Sequence, residues 1–259
     1  MSGSVTLERD GAIATVTLVN PGRLNAMSRP MWEAVGTHMR TLSADDSVRC
    51  VIVRGAGEKA FAAGADIAEF ETERANVGQA RNYGIAIQRT MDAVQDCRHP
   101  TVAMIHGVCV GGGLELASLC DIRICGESSR FGVPVKNLGL VMAYGELKGL
   151  IGLVGRSVAL EIVFEGRVFG AQEAKEKRLV SRVVADDQVT TEALATAQRI
   201  ADGAPLVARW HKKFARRLAD ARPLTSEEYD ESFACFGTED FQTGYRAFLA
   251  KEKPSFNGR

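Results

Sequence analysis

Twenty residues, TVAMIHGVCVGGGLELASLC at positions 101–120, constrain this chain more than any other stretch. They form its most apolar window and are long enough to cross a bilayer. Three successive glycines, Gly111, Gly112 and Gly113, and the acid Glu115 argue instead for a buried element of a soluble fold. The order of residue types reads as a strand over 101–105, a glycine-rich turn over 107–113 and a helix over 114–119. Glycines between a strand and a helix let a ligand approach the backbone, and Gly112 and Gly113 can present amides to it, aided by the helix dipole. The spacing is not that of a dinucleotide-binding loop. Glu115 is the only acid in the window. Desolvation disfavours its charged form and raises its pKa, which equips it to move protons near neutral pH. A glutamate paired with a buried arginine, or one reaching out to water, would look the same, and the residues alone leave both readings open.

Composition narrows the remaining classes. Of 259 residues, 46% are hydrophobic and 25% charged, which excludes a disordered or fibrous chain. Lys and Arg total 32, as do Asp and Glu, so no global field draws the chain to nucleic acid or to an anionic membrane. Glu8, Arg9 and Asp10 precede any long apolar run, unlike a secretory signal or a transit peptide. The six cysteines (Cys50, Cys97, Cys109, Cys120, Cys125 and Cys235) form no CxxC pair and have no histidine at zinc-finger spacing. They read as reduced, mostly buried thiols of a cytoplasmic protein, with no metal site expected.

Along the chain, two β-rich runs around Asp10-Gly11 predict a hairpin. Met31, Val35, Met39 and Leu42 share one face of a helix over 29–42, with Ser28 as its N-cap. Strands are predicted at 50–54 and 122–125, and a helix at 75–94. Beyond residue 130 helices dominate. No sequence repeat is visible. The pattern is that of an α/β core, residues 1–195, followed by a helical region, 196–259.

Three other features were weighed for chemistry. AFAAGADIAEF, 60–70, leads from a strand through Gly64 to Asp66, a helix cap, and its amides can bind an anion; a small-residue packing turn is the blander reading and the one the residues favour. His106 borders the glycine turn but reads as structural, and no GxSxG elbow supports a serine hydrolase. Arg209, Lys212, Lys213, Arg216 and Arg217 line an amphipathic helix, read as a solvated basic face, with RNA binding the weaker alternative.

Taken together, NPGRLNAM (20–27), KAFAAGADIAEF (59–70), IHGVCVGGGLELASLCDIRI (105–124), RFGVPVKNLGL (130–140) and AQEAKEKRLVSRVV (171–184) resemble the crotonase, or enoyl-CoA hydratase/isomerase, superfamily over nearly the whole chain. The resemblance implies a crotonase-like spiral of ββα units with C-terminal helices that trimerise, and trimers that often stack as hexamers. It implies an acyl-CoA thioester as substrate, coenzyme A entering as part of the substrate and not as a separate cofactor. By motif position, the amides of Ala65 and Gly112 would form an oxyanion hole. Arg23, Leu24 and Ala26 would lie along the CoA, with Ala63, Asp66 and Ile67 near its pantetheine or adenine. Phe248 and Lys251 match positions that reach a nucleotide, sometimes in the neighbouring subunit.

Glu115 matches the first of the two catalytic glutamates of the hydratases. The second is expected directly after Pro134, where this chain has Val135. That departure removes support from a Δ3-Δ2 isomerase. Lys136, Tyr144 or Glu146, close after it, could take part in its place, but each reads more readily as a structural or surface residue. The expected activity is hydration of a 2-enoyl-CoA with Glu115 as acid/base. Alternatives are another enolate reaction (decarboxylation, thioester hydrolysis, specialised isomerisation) or a non-catalytic acyl-CoA- or RNA-binding protein. Ile85, Met104 or Met142 are expected among the walls of the acyl pocket.

Overall fold

The computed structural model describes residues 3–259. The hairpin at Asp10-Gly11 joins β1 (Ser4–Asp10) to β2 (Ile13–Val19), antiparallel from Ser4↔Val19 to Asp10↔Ile13. α1 (Arg29–Ala44) buries Met31, Trp32, Val35, Met39 and Leu42, the face their spacing predicts. Ser28 stands at the N-cap, but its side chain makes no capping bond; the Glu69 carboxylate accepts from the Arg29 N–H at 2.9 Å in its place.

The chain then repeats one course three times. β3 (Cys50–Gly55), β5 (Thr101–Ile105) and β7 (Ile122–Gly126) each add to a large sheet. Each is followed by a short strand of a second sheet, respectively β4 (Ala60–Ala62), β6 (Val108–Val110) and β8 (Arg130–Gly132). Helices complete each unit: α2 (Phe70–Glu73) with α3 (Val77–Asp96), then α4 (Gly112–Ser118), then α5 (Tyr144–Val154). This is the ββα spiral that the resemblance implies. α6 (Arg156–Glu165), β9 (Phe169–Gly170), α7 (Ala171–Glu176) and β10 (Arg182–Val184) follow. The large sheet runs β1-β2-β3-β5-β7-β10, parallel from β2 onward, and the small one β4-β6-β8-β9. Residues 107–113, read as one turn, therefore contain a strand. At two or three residues each, β6, β8 and β9 are too short to show a period-two signature.

The crossing between sheets explains one glycine. Gly107 has φ +57°, and a side chain there would run into the Lys59 backbone, so only glycine lets β5 turn into β6 beside β4. The large sheet is covered on both faces, as a parallel sheet must be. Alternate residues Val51, Val53, Ala103 and Ile105 face the main core with Trp32, Phe61 and Leu114. Cys50, Ile52, Val102 and Met104 face α8 (Val189–Ala201), which meets them with Val189, Ala193, Ala197 and Ala201, one small residue per turn. The division expected at 195/196 thus falls inside a helix that belongs to the core packing.

The basic helix is α9 (Pro205–Leu218). Its face is only partly free in water. Arg209 pairs with Asp46 at 3.0 Å and Lys212 with Asp121 at 2.7 Å, while Lys213, Arg216 and Arg217 pair with Glu231, Asp96 and Glu228. The pairs with Asp46, Asp96 and Asp121 bind this helix to the core, and those with Glu228 and Glu231 bind it to the next C-terminal helix. α10 (Ser226–Glu231) and α11 (Glu239–Ala250) end the chain and leave Phe233, Phe236, Tyr245 and Phe248 exposed. Among the described residues, no helix is long and apolar enough to cross a membrane.

Candidate active site

Two backbone segments meet at the heart of the molecule. NPGRLNAM is fastened along AFAAGAD: the Ala63 N–H donates to the Leu24 carbonyl (3.0 Å), the Met27 N–H to Gly64 (2.8 Å) and the Asp66 N–H to Met27 (2.9 Å). Asn25, buried and at φ +55°, secures this loop from inside, donating through Nδ2 to the carbonyls of Ala60 (2.8 Å) and Ala56 (3.1 Å). Arg23 pairs with Asp66 at 2.5 Å, and Asp66 caps the turn after it by accepting from the Ala68 N–H. The second segment leaves β6 through Gly111, at φ +49°, into α4.

Small residues let the two segments touch. A methyl built on Gly112 would lie 3.6 Å from the Ala65 nitrogen and 3.0 Å from Trp32. One on Gly113 would lie 2.9 Å from the Ala62 methyl and closer still to its carbonyl oxygen. The backbones at 65 and 112 are thus close neighbours, with the Trp32 ring packed beside them. One turn further along α4 stands Glu115, only 9% exposed.

These groups line one cavity of about 230 Å3. Ala63, Gly64, Ala65 and Ile67 form one wall, Val110 to Gly112 with Glu115 another, and Trp32, Phe70 and Ile87 the apolar depth. The third unit closes it with Pro134, Val135, Leu138, Leu140 and Val141. Of the residues singled out in the sequence, Ala63, Ala65, Ile67, Gly112 and Glu115 line the cavity. Arg23, Leu24, Ala26 and Asp66 stand beside it in the fastened loop. Phe248 and Lys251 do not reach it; they lie on and just after α11, with Phe248 81% exposed. His106 faces Thr190 at 3.2 Å, away from the cavity.

The expected pocket walls are corrected. Ile85 is exposed in a groove beside α1, Met104 faces α8, and Met142 is buried elsewhere. Ile87 lines the cavity where Ile85 does not, because residues two apart on a helix point to nearly opposite sides. Two further charged groups line the cavity: Glu146, one of three candidates to stand in for the missing carboxylate, and Arg74, which the sequence does not single out. Lys136 and Tyr144 do not line it, and Tyr144 is almost fully exposed. The signal for Glu146 was an acid just after a helix start, which is an ordinary capping pattern. Nothing in the sequence distinguishes Arg74 from other surface arginines.

Electrostatics set the character of the site. Burial pushes the Glu115 carboxyl well above its usual range, the nearby Glu146 charge adds to this, and Arg74 opposes both. Burial raises Glu146 too, against the Ala143 N–H and Arg74. Arg74 stacks its guanidinium 3.6 Å from the ring centre of Tyr83 and 4.7 Å from that of Phe70. The arrangement offers two adjacent backbone segments with amide donors, largely apolar walls and two carboxyls whose pKa values burial raises, features suited to chemistry on an enolate.

The comparisons agree with this geometry. Residues 8–259 match the family model described as enoyl-CoA hydratase/isomerase. The chain is 33% identical over 255 residues to a short-chain-enoyl-CoA hydratase of Clostridium acetobutylicum, covering 96% of each. It is 31% identical to a crotonyl-CoA hydratase of Syntrophomonas wolfei, covering 98% of this chain and 97% of that one. The crystal structure of an enoyl-CoA hydratase/carnithine racemase from Magnetospirillum magneticum superposes with a TM-score of 0.97 at 50% identity, over 100% of this chain and 97% of that one. The spiral of ββα units defines a crotonase-type protein, and the chain belongs to the enoyl-CoA hydratase/isomerase family.

Proposed function

We propose that this protein is an enoyl-CoA hydratase-type lyase, adding water to a 2-enoyl-CoA to give a 3-hydroxyacyl-CoA, or running the reverse. The observation that carries the reading is the meeting of the Ala65 and Gly112 backbones beside the buried Glu115. Addition at C3 drives negative charge onto the thioester oxygen. Two preorganised N–H donors in a dry slot stabilise that charge, each by roughly 3 kcal/mol. Glu115 acts as acid/base on the same face. Coenzyme A enters only as the carrier of the acyl group. Arg23, Leu24 and Ala26, with Ala63, Asp66 and Ile67, are proposed to lie along it, and Phe248 and Lys251 to reach its nucleotide within an oligomer.

That oligomer is proposed to be a trimer or a dimer of trimers in the cytoplasm, without membrane or nucleic-acid partners. The exposed aromatic residues of the C-terminal helices support it, since such a cluster is unusual for a surface that stays in water. The ion pairs of α9 leave little basic surface for RNA.

The test follows the loss of enoyl-thioester absorbance on crotonyl-CoA with the wild type and Glu115→Gln. A fall of 100-fold or more is expected in the variant; equal rates would remove Glu115 from the mechanism. A second reading, another enolate reaction on a different acyl group, is favoured by Val135 alone. Turnover of malonyl-type, aromatic or branched acyl-CoA esters without hydration of simple enoyl chains would establish it.

A further inference from the structure

Hydration takes a proton from water and gives one to Cα, work that one carboxyl can do alone or two can divide. Position 135, in the turn after β8, supplies no such group: Val135 is an apolar wall of the cavity. A second acid in the cavity comes from a different element. Glu146 is the third residue of α5, and its carboxylate turns back so that Oε2 accepts from the Ala143 N–H at 2.6 Å. Oε1 has no hydrogen-bond partner among the described residues, and the side chain lines the same cavity as Glu115, Ala65 and Gly112. In a capping box the N-cap side chain would return a bond to the third residue, but Ala143 has no oxygen to do so. Capping alone does not explain an acid held between apolar walls.

We propose that Glu146 is the second proton-handling group of this site: the two carboxyls hold one proton between them, Glu146 acting as base on water and Glu115 as acid toward Cα. This rests on the hydratase reading. The division follows from what each group faces. Glu146 has a backbone N–H to stabilise its charge and is only half-buried; Glu115 is the more deeply buried and has no such donor among the described residues. In hydration, the water O–H bond breaks and its proton passes to the Glu146 carboxylate as oxygen bonds to C3. The C2=C3 pair shifts toward the carbonyl, and the enolate oxygen rests on the two amides. The Glu115 O–H then breaks, C2–H forms and the thioester is restored. The proton on Glu146 returns to Glu115, directly or through water, and resets the pair.

The experiment compares wild type, Glu115→Gln and Glu146→Gln in two assays: hydration of crotonyl-CoA across pH, and exchange of the α-protons of butyryl-CoA in D2O. Glu146→Gln keeps an oxygen for the Ala143 N–H, so its melting temperature should stay near that of the wild type, and Glu146→Asp checks reach. Glu146→Gln is expected to hydrate at least 100-fold more slowly, with KM within about 3-fold. It should lose the acidic limb of the rate profile yet still exchange α-protons. Exchange needs ionised Glu115, and removing its like-charged neighbour makes ionisation easier, so the exchange midpoint should fall to lower pH. Glu115→Gln should lose both reactions. Hydration within 3-fold of wild type in Glu146→Gln, with both limbs intact, overturns the role of Glu146 and leaves the hydratase reading standing. Loss of both reactions in a folded Glu146→Gln overturns the base role in favour of a structural one. A wild type that exchanges but never hydrates overturns the hydratase reading, and the role of Glu146 on water with it.

Discussion

A single methyl group tests whether the two amides must be held in place. Gly113→Ala adds a carbon 2.9 Å from the Ala62 methyl, nearer still to its carbonyl oxygen. Carbon atoms rest at about 3.5–4.0 Å, so the two backbones must part by roughly 0.6–1.1 Å. Neither contact is a flexible side-chain end that can swing aside. Ala62 belongs to β4 and is paired with Cys109 of β6, while residue 113 is in the first turn of α4. The strain should therefore cost about 1–3 kcal/mol, or roughly 2–12 °C in melting temperature for a chain of this size. Because Ala65 follows three residues after Ala62, and Gly112 adjoins the mutated position, the same movement separates the proposed donors. A displacement near 1 Å costs on the order of 100-fold in rate.

Gly84→Ala provides the control. Gly84 lies within α3, exposed, and a methyl there meets nothing within 4 Å. It should stabilise by about 0.5–1 kcal/mol through helix propensity alone and leave turnover unchanged. The assays are thermal unfolding and the hydration rate at saturating substrate. If Gly113→Ala melts and turns over like the wild type, the close approach of the segments is not what it is taken to be. If it loses stability but keeps full turnover, the relative placement of the amides does not govern the chemistry.

Other perturbations address what supports the site. Asn25→Ala removes two buried bonds to carbonyls and places a methyl-bearing residue at φ +55°, for an expected loss of about 2–3 kcal/mol in urea unfolding; Asn25→Gly, which relieves only the backbone, should recover a minor part. His99 is buried beside Leu42, and burial, with Arg209 and Arg98, lowers its pKa from 6.5 to about 4. Below pH 6.5 the unfolded chain takes up a proton that the folded one refuses until about pH 4, so stability should fall through that window by up to about 3 kcal/mol. His99→Gln should flatten the dependence of melting temperature on pH there. Burial pushes the thiols of Cys50, Cys120 and Cys125 up to about 12. An aromatic disulfide reagent at pH 8 should therefore label at most one thiol per native chain, Cys235, and six after denaturation; rapid labelling of a second native thiol would contradict the packing of the core.

The sequence carried the large sheet and the long helices because each has enough residues to show its period. β5 was readable to the residue, since a run buried on both faces stands out as continuous apolar sequence. The small sheet was hidden in strands of two or three residues, and its presence turned what read as a loose glycine turn into the hinge between two sheets. The spiral itself repeats a path and not a sequence, which is why no internal repeat is visible. At the site, Glu115 was legible because an acid in an apolar window is conspicuous. Ile87 and Arg74 are not legible, and Glu146 is only one of three candidates, because which side of α3 or α5 meets α4 depends on packing between units far apart in the chain. The α9 cations are legible only in part for the same reason: Lys213 and Arg216 stand in water as a basic face should, while Arg209 and Lys212 are largely buried against Asp46 and Asp121, brought to them from elsewhere.

The place of Arg74 ties these strands together. A buried acid donates a proton at neutral pH only if no cation pins it as an anion. Arg74 lies in the same cavity as Glu115 and Glu146, yet among the described residues it forms no ion pair within 4 Å; its guanidinium is held against the faces of Tyr83 and Phe70. That stacking keeps one positive charge near the two carboxyls without delivering it to either. With Arg74 as a close partner, Glu115 would stay ionised and could not return a proton to Cα. With no cation at all, burial would act on both acids with less to oppose it, and a negative charge in the cavity would be harder to form. A cation held at a distance by aromatic rings satisfies both requirements: it allows one negative charge to exist in the slot and leaves the second proton in place. The chemistry constrains where the two acids and the cation stand and how tightly each holds its proton, and it leaves open which segment of the chain supplies them. A valine at position 135 is therefore compatible with a two-carboxyl mechanism once α5 brings Glu146 into the same cavity.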